Sequence, residues 1–313
     1  LSSSQVMRVA QGLYERGFIT YMRTDDVILS DEAMSATRAA VTNEYGSAYL
    51  NAAPKQYKKK TQGQDAHEAI RPTTPYRSPD SLAGEINSQE LALYRLIWQR
   101  TLASQMADAT GVTVSVRLTA PATDRATGEI IDCEFSASGT TITFPGYRAV
   151  YVASKEERGD DAADKEALLP ALTVGDIVPT ESITPVGHTT TPPARYSEAS
   201  LVKKLEELRI GRPSTWASII QTVQDRGYVW KKGQALVPTW TAFAVIRLLE
   251  EHFNALVDYD FTASTEEDLD AISRGDRQKA QWLTRFYWGK TDDQDVPAIT
   301  AEAGGDANDA LLG

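Results

Sequence analysis

Tyr21 is followed two residues later by Arg23. On an extended backbone, side chains two apart point to the same side, so the guanidinium of Arg23 can grip a phosphate that the tyrosine oxygen attacks. A phenol, with an ordinary pKa of about 10, is a poor nucleophile at pH 7. A neighbouring cation favours the phenolate and stabilises the charge that develops on the phosphoryl group. Composition alone also admits a plainer reading, in which Tyr21 is one of 13 tyrosines, filling a strand, and Arg23 is a solvated charge.

Two further segments could serve such chemistry. In Asp65-Ala66-His67-Glu68-Ala69-Ile70-Arg71-Pro72 the histidine could hydrogen-bond a phosphate or help move a proton. A lone loop histidine is also compatible with a structural place, and Lys58, Lys59 and Lys60 read as a solvated run. In Ile210-Gly211-Arg212-Pro213-Ser214-Thr215 the amides of a helix N-terminus, the Ser214 and Thr215 hydroxyls and Arg212 make a site for one backbone phosphate. An N-cap at Ser214 with a stiff entry through Pro213 explains the same string, but leaves Arg212 and Thr215 without a task. Arg226 closes that helix, where a cation complements the dipole with or without a bound anion.

The elements that must hold these residues are legible in the periodicity. Val6, Val9, Ala10, Leu13 and Tyr14 have helical spacing, with Gly17 placed to stop the helix and a short extended run from Phe18 to Met22. Ser30 before Asp31 and Glu32 caps a helix running to about Tyr45. Residues 51–80 are loop, with a helical turn allowed over Ala66–Ile70. Ser88 caps another helix with Leu91, Tyr94, Ile97, Trp98 and Leu102 on one face. After Ala107 the period becomes 2, through Val112, Val114, Val116 and Leu118 and then Ile131, Cys133 and Phe135, which predicts an antiparallel β region. An acidic loop at 155–167 interrupts it, and Thr189-Thr190-Thr191-Pro192-Pro193 marks a boundary.

Beyond that boundary Ser197 caps a helix ended by Gly211, Ser214 caps a second ended by Gly227, Lys231-Lys232-Gly233 forms the tip of a hairpin, and Thr239 opens a third helix. Helix, turn, helix, hairpin is the winged form of the helix-turn-helix. The acidic, Gly- and Ala-rich stretch after Gly289 is expected to be disordered. One echo runs across the chain: Glu15-Arg16-Gly17-Phe18-Ile19 and Asp225-Arg226-Gly227-Tyr228-Val229. Two related units facing one another and a chance similarity both remain open.

At 313 residues, with 42% hydrophobic residues, the chain can hold two or three domains. The single cysteine, Cys133, excludes a disulfide framework and a Cys-type zinc ribbon, and His67, His188 and His252 are too scattered for a zinc site. No apolar stretch is long enough for a membrane span and no signal peptide opens the chain, so a soluble, cytosolic protein is expected. A first residue of Leu1 suggests a piece of a longer protein. The net charge of −11 is unevenly placed. Residues 155–181 and 251–313 carry −5 and −9, whereas 55–77 and 195–232 are each +4 and surround the motifs above. Nucleic-acid binding confined to those two islands is compatible with this pattern.

Three long motifs then carry a resemblance. The segment from Leu13 to Asp25, the run Ala66-His67-Glu68-Ala69-Ile70-Arg71-Pro72, and Pro192 to Leu201 with Gly211-Arg212-Pro213-Ser214-Thr215 and Gln224 to Val229 together resemble type IA DNA topoisomerases, in the bacterial topoisomerase I branch. Asp26 departs from the pattern, standing where the family usually has serine. The resemblance implies a multidomain α+β torus fragment in which two winged-helix-like, α-rich domains are joined by an antiparallel β arch. Its parts would be a tyrosine domain at 1–107, the arch at 108–193, a winged-helix-like domain at 194–289 and an acidic tail at 290–313. It implies Tyr21 as the nucleophile forming a 5′-phosphotyrosyl link, with Arg23 on the scissile phosphate and His67 in support. Arg195, Arg212, Ser214, Thr215 and Arg226 would grip the strand. The implied partner is a single-stranded segment of negatively supercoiled DNA, with no ATP, no zinc and no membrane, handled by a cytoplasmic, nucleoid-associated monomer. Magnesium would be bound by a Toprim domain outside these residues, so this chain alone is expected to be inactive. A non-catalytic winged-helix module would explain residues 195–253 but would leave the Tyr21 and His67 segments without purpose.

Overall fold

The computed structural model describes residues 1–23, 26–57, 68–151, 169–170 and 172–288. His67, Lys58 to Lys60, the acidic loop at 155–167 and the tail at 290–313 lie outside the described residues.

Helix α1 (Ser3–Glu15) begins in a capping box: the Gln5 amide donates to the Ser2 hydroxyl and the Ser2 amide to the Gln5 side chain. Its buried stripe is Ala10 and Leu13. Helix α2 (Asp31–Tyr45) is capped by Ser30, with Asp31 and Glu32 in its first turn, as the sequence predicts. Helix α3 (Ser88–Gln105) starts one residue earlier than expected. Asn87, not Ser88, is the cap, because its side-chain oxygen accepts from the Gln89 and Glu90 amides while the Glu90 carboxylate returns to the Asn87 amide. Only Asn87 has a glutamate three residues on to complete this exchange. The three helices close one core around Leu13, Ile19, Val41, Leu82, Tyr94, Trp98, Leu102 and Met106.

Strands β1 (Thr110–Thr123) and β2 (Ile130–Phe144) form one antiparallel ribbon that pairs Val112 with Thr141 and Leu118 with Phe135. The period-2 alternation predicts these strands, yet the apolar side they share is open: Val112, Val114, Leu118, Ile131 and Phe135 are all exposed. No third strand joins the ribbon among the described residues.

Helix α4 (Glu198–Glu207) is capped by Ser197. It ends earlier than expected from Gly211, in a left-handed turn at Arg209 (φ 59°), whose amide donates to Glu206 while Ile210 donates to Leu205. Helix α5 (Pro213–Asp225) takes Arg212 as its cap residue, so Ser214 lies inside the first turn. Pro213 fits the first helical position, where no amide hydrogen is needed, and this moves the cap to the residue before it. Strands β3 (Val229–Lys232) and β4 (Ala235–Pro238) pair as the expected hairpin. Helix α6 (Trp240–His252) is capped by Thr239, and α7 (Asn254–Val257), α8 (Tyr259–Arg274) and α9 (Lys279–Trp288) follow. The result is a mixed α and β chain in which no described helix is long and apolar enough to cross a membrane.

Candidate functional site

Gly17 takes φ 75°, a left-handed conformation that costs a residue with a Cβ but not glycine. The turn it makes sends its own amide to the Tyr14 carbonyl and the Phe18 amide to Leu13. The chain leaves extended, with Ile19 bridged to Pro72 and the Thr20 amide donating to the Arg71 carbonyl at 2.9 Å. Tyr21 is the next residue. The Ala66–Ile70 turn allowed by the sequence is not helical in its described part: Ala69 donates to Ile28, and its carbonyl accepts from the Thr20 hydroxyl.

Tyr21 is half-buried, its ring standing edge-on to Tyr14 with centroids 5.3 Å apart. The exposed Arg23 guanidinium carbon lies 5.4 Å over that ring, so the two side chains share one side. Behind them Arg71, only 7% exposed, forks onto Glu68 at 2.7 and 3.1 Å and donates to the Pro72 carbonyl. Removing Glu68 would strand the buried Arg71 charge, so this pair fixes the segment next to Tyr21. Asp26, 7% exposed, accepts from the Val27 and Ile28 amides through one carboxylate oxygen. The Asp26 carboxylate is thus turned into its own loop. A tyrosine with an exposed guanidinium over its ring is compatible with the phosphodiester chemistry expected of Tyr21 and Arg23.

A second copy of the same turn lies in the other half. Gly227 takes φ 69°, its amide donates to Gln224 and the Tyr228 amide donates to Val223. Val229 pairs with Pro238 as Ile19 does with Pro72. The Thr73 amide donates to Phe18 and its hydroxyl to Gly17, at 3.1 and 2.6 Å; Thr239 repeats this on Tyr228 and Gly227 at 2.9 Å each. Here the five-residue echo is a repeated structure, and its missing half was the Pro-Thr pair at 72–73 and 238–239. The helices of the two copies touch through Ser4 and Gln221, and the Ser3 amide donates to Glu198 at 2.6 Å. Glu198 also pairs with Lys231. Burial alone would raise the Glu198 carboxyl, but the hydrogen bonds from Lys231 and Ser3 outweigh it and hold it down at about 2.

The residues expected to grip a strand divide in two. Arg195, Ser214 and Arg226 are exposed, and their side chains make no hydrogen bond or ion pair among the described residues. Arg212, half-buried, and Thr215, exposed, both have partners within the chain. Arg212 reaches Asp270 at 2.7 Å and Glu266 at 3.5 Å on α8, and the Thr215 hydroxyl accepts from the Arg212 amide at 2.9 Å. Both residues left over by the plain N-cap reading therefore have structural tasks: Thr215 closes the local cap exchange with the Arg212 amide, and Arg212 is engaged by the distant helix.

Similarity to known proteins places this mixed α and β chain in the DNA topoisomerase class. The family model described as DNA topoisomerase matches residues 1–284. DNA topoisomerase 1 of Mycobacterium leprae is 52% identical over 291 residues, covering 92% of this chain and 30% of that protein. The protein of the same name from Streptomyces coelicolor is 53% identical over 290 residues, covering 92% and 30%. The solved structure of full-length topoisomerase I from Thermotoga maritima superposes with a TM-score of 0.69 at 33% identity, covering 89% of this chain and 44% of that one. The chain belongs to the bacterial type IA DNA topoisomerase I family, and it spans about a third of the length of the curated relatives it matches.

Proposed function

We propose that this chain carries the cleaving tyrosine and one strand-gripping surface of an enzyme that relaxes negatively supercoiled DNA without ATP. The Tyr21 oxygen attacks a backbone phosphorus, the new Oη–P bond replaces the P–O3′ bond, and the departing 3′ oxygen takes up a proton as the phenol loses one. One phosphodiester is exchanged for another, so resealing by the 3′ hydroxyl regenerates Tyr21 with no external energy source. Arg23 holds the scissile phosphate, His67 supports the site, and Arg195, Ser214 and Arg226 hold the single-stranded segment. The tyrosine unit at 1–107 and the winged-helix-like unit at 194–289 would line a torus bridged by the β arch at 108–193, in a cytoplasmic monomer acting on nucleoid DNA. Among the described residues no group of three or more His, Cys, Asp or Glu could hold a metal ion. The resemblance assigns magnesium to the family's Toprim part.

The observation that carries this reading is the shared side of Tyr21 and Arg23 at the end of the paired strand. Tyr21→Phe in the full-length protein tests it, because only the oxygen reacts while the ring packs on Tyr14. The denaturant-resistant DNA adduct and plasmid relaxation should vanish with single-strand binding kept. Relaxation near the wild-type rate would remove Tyr21 from the role. The isolated chain should leave supercoiled plasmid unrelaxed, since general acid help to a poor alkoxide leaving group is typically worth about 10²–10⁴-fold.

A further inference from the structure

In an antiparallel ladder the Thr20–Arg71 pair would exchange two backbone hydrogen bonds, Thr20 N–H to the Arg71 carbonyl and Arg71 N–H to the Thr20 carbonyl. The first is present, at 2.9 Å. The second is replaced: the Arg71 amide donates to the Thr20 hydroxyl at 3.0 Å, and that hydroxyl donates its own hydrogen to the Ala69 carbonyl at 2.9 Å. The side chain thus intercepts the ladder and releases the Thr20 carbonyl from it. In the second copy of the turn the corresponding residue is Trp230, which has no hydroxyl, and there the ladder continues through Lys231–Leu236 and Lys232–Ala235. In the first copy it stops, and the residue after the stop is Tyr21.

We infer that Thr20 is a positioning residue for the cleavage step, its hydroxyl ending the ladder and setting the direction in which Tyr21 leaves the strand. This rests on Tyr21 being the nucleophile. Thr20 touches neither phosphate nor leaving group and acts through the backbone it fixes. Its second partner, Ala69, lies between Glu68 and Arg71, whose ion pair is 9% and 31% exposed on its two side chains, so the hydroxyl is anchored to a stiff segment. Misplacing a reacting group by about 1 Å can cost about 100-fold in rate.

The test compares Thr20→Val, which keeps the shape and removes the hydroxyl, with Thr20→Ser, which keeps the hydroxyl. Both are made in the full-length protein, with Tyr21→Phe alongside to report whether Tyr21 is the nucleophile at all. Adduct formation is followed at saturating single-stranded oligonucleotide, together with oligonucleotide affinity and the melting temperature. The expected result is a valine variant about 30–100-fold slower in adduct formation with affinity within about threefold of wild type, and a serine variant within about threefold of wild type in both. A valine variant at the wild-type rate overturns the inference. So does a serine variant as slow as valine, which would make shape rather than the hydroxyl decisive. A valine variant that loses affinity and melting temperature in step with rate assigns Thr20 to general stability and also overturns it. A Tyr21→Phe protein that still forms adduct would instead sink the proposed function.

Discussion

Arg16 and Arg226 occupy the same place in two copies of one turn, each the last residue before the left-handed glycine, and they have opposite fates. The Arg16 guanidinium is held by both oxygens of Glu90, at 3.1 and 3.0 Å, by the Glu85 carbonyl, and lies over the Phe18 ring. Arg226 has no such partners among the described residues. The surroundings differ because the first copy is built against α3 and the second is not. The strands differ as well. In the second copy β3 returns through a tight hairpin at Gly233 and Gln234; in the first, about fifty residues are inserted between Thr20 and Arg71, including α2 and the Tyr21 segment. Repetition supplies a stable helix stop, and what is inserted or left open on it supplies the differences that can be used.

The largest expected break in this comparison comes from the residue that receives the turn's long hydrogen bond. Leu13 is fully buried, and Leu13→Ala should cost about 3 kcal/mol, measured by denaturant unfolding. Its counterpart Val223 is half-buried at the edge of a thinner core, so Val223→Ala should cost about 1 kcal/mol. Equal losses would mean that the two cores are equivalent after all.

Glu198 joins the copies, and its effect is read by pH. A carboxyl depressed to about 2 stabilises the fold above the unfolded value of about 4.3, and that stability, up to about 3 kcal/mol, is lost as pH falls toward 2. Glu198→Gln should flatten this part of the pH–stability curve without changing the plateau above pH 6 in slope. An unchanged acid limb would show that the contact between the copies is weak in solution.

Gly17→Ala and Gly227→Ala sharpen the comparison by predicting sameness. No heavy atom lies within 4 Å of a Cβ built at either, so each should cost only the left-handed backbone strain, about 1–2 kcal/mol. Smallest in stability, and most telling for function, is the arginine pair. Arg16→Ala should cost about 1 kcal/mol and leave the salt dependence of single-strand binding unchanged. Arg226→Ala should leave stability alone and make the log–log salt slope shallower by roughly one phosphate contact. Arg212→Ala should resemble Arg16→Ala, because its partners are Asp270 and Glu266.

What could be read in the sequence was what local chemistry decides. Glycine stops at Gly17 and Gly227, caps at Ser30, Ser197 and Thr239, and the alternation of the ribbon all follow from residues within a turn of one another. The caps lie one residue before Ser88 and two before Ser214 because a neighbour, Asn87 with Glu90 or Arg212 before Pro213, has the stronger geometric claim. The engagement of Arg212 with α8 and of Glu198 with Ser3 links residues 58 and 195 positions apart, which no periodicity announces. The Tyr21 and Arg23 pairing was legible because two residues on an extended chain are nearly local. The Thr20 hydroxyl was not, since its role depends on the strand that returns to it from Ala69.

The ribbon of β1 and β2 is best considered as a lever. Fourteen residues at about 3.4 Å each reach at most about 45 Å, so a tilt of only about 5° at its root sweeps the tip through about 4 Å. At that root Gly146 lies so close to the Asp108 backbone that an added Cβ would sit 2.5 Å from it, and the Tyr147 amide is tied to the Ala107 carbonyl. A single methyl group placed at this fulcrum would be felt as a misdirection of several ångströms at the far end, where nothing in the local chemistry has changed.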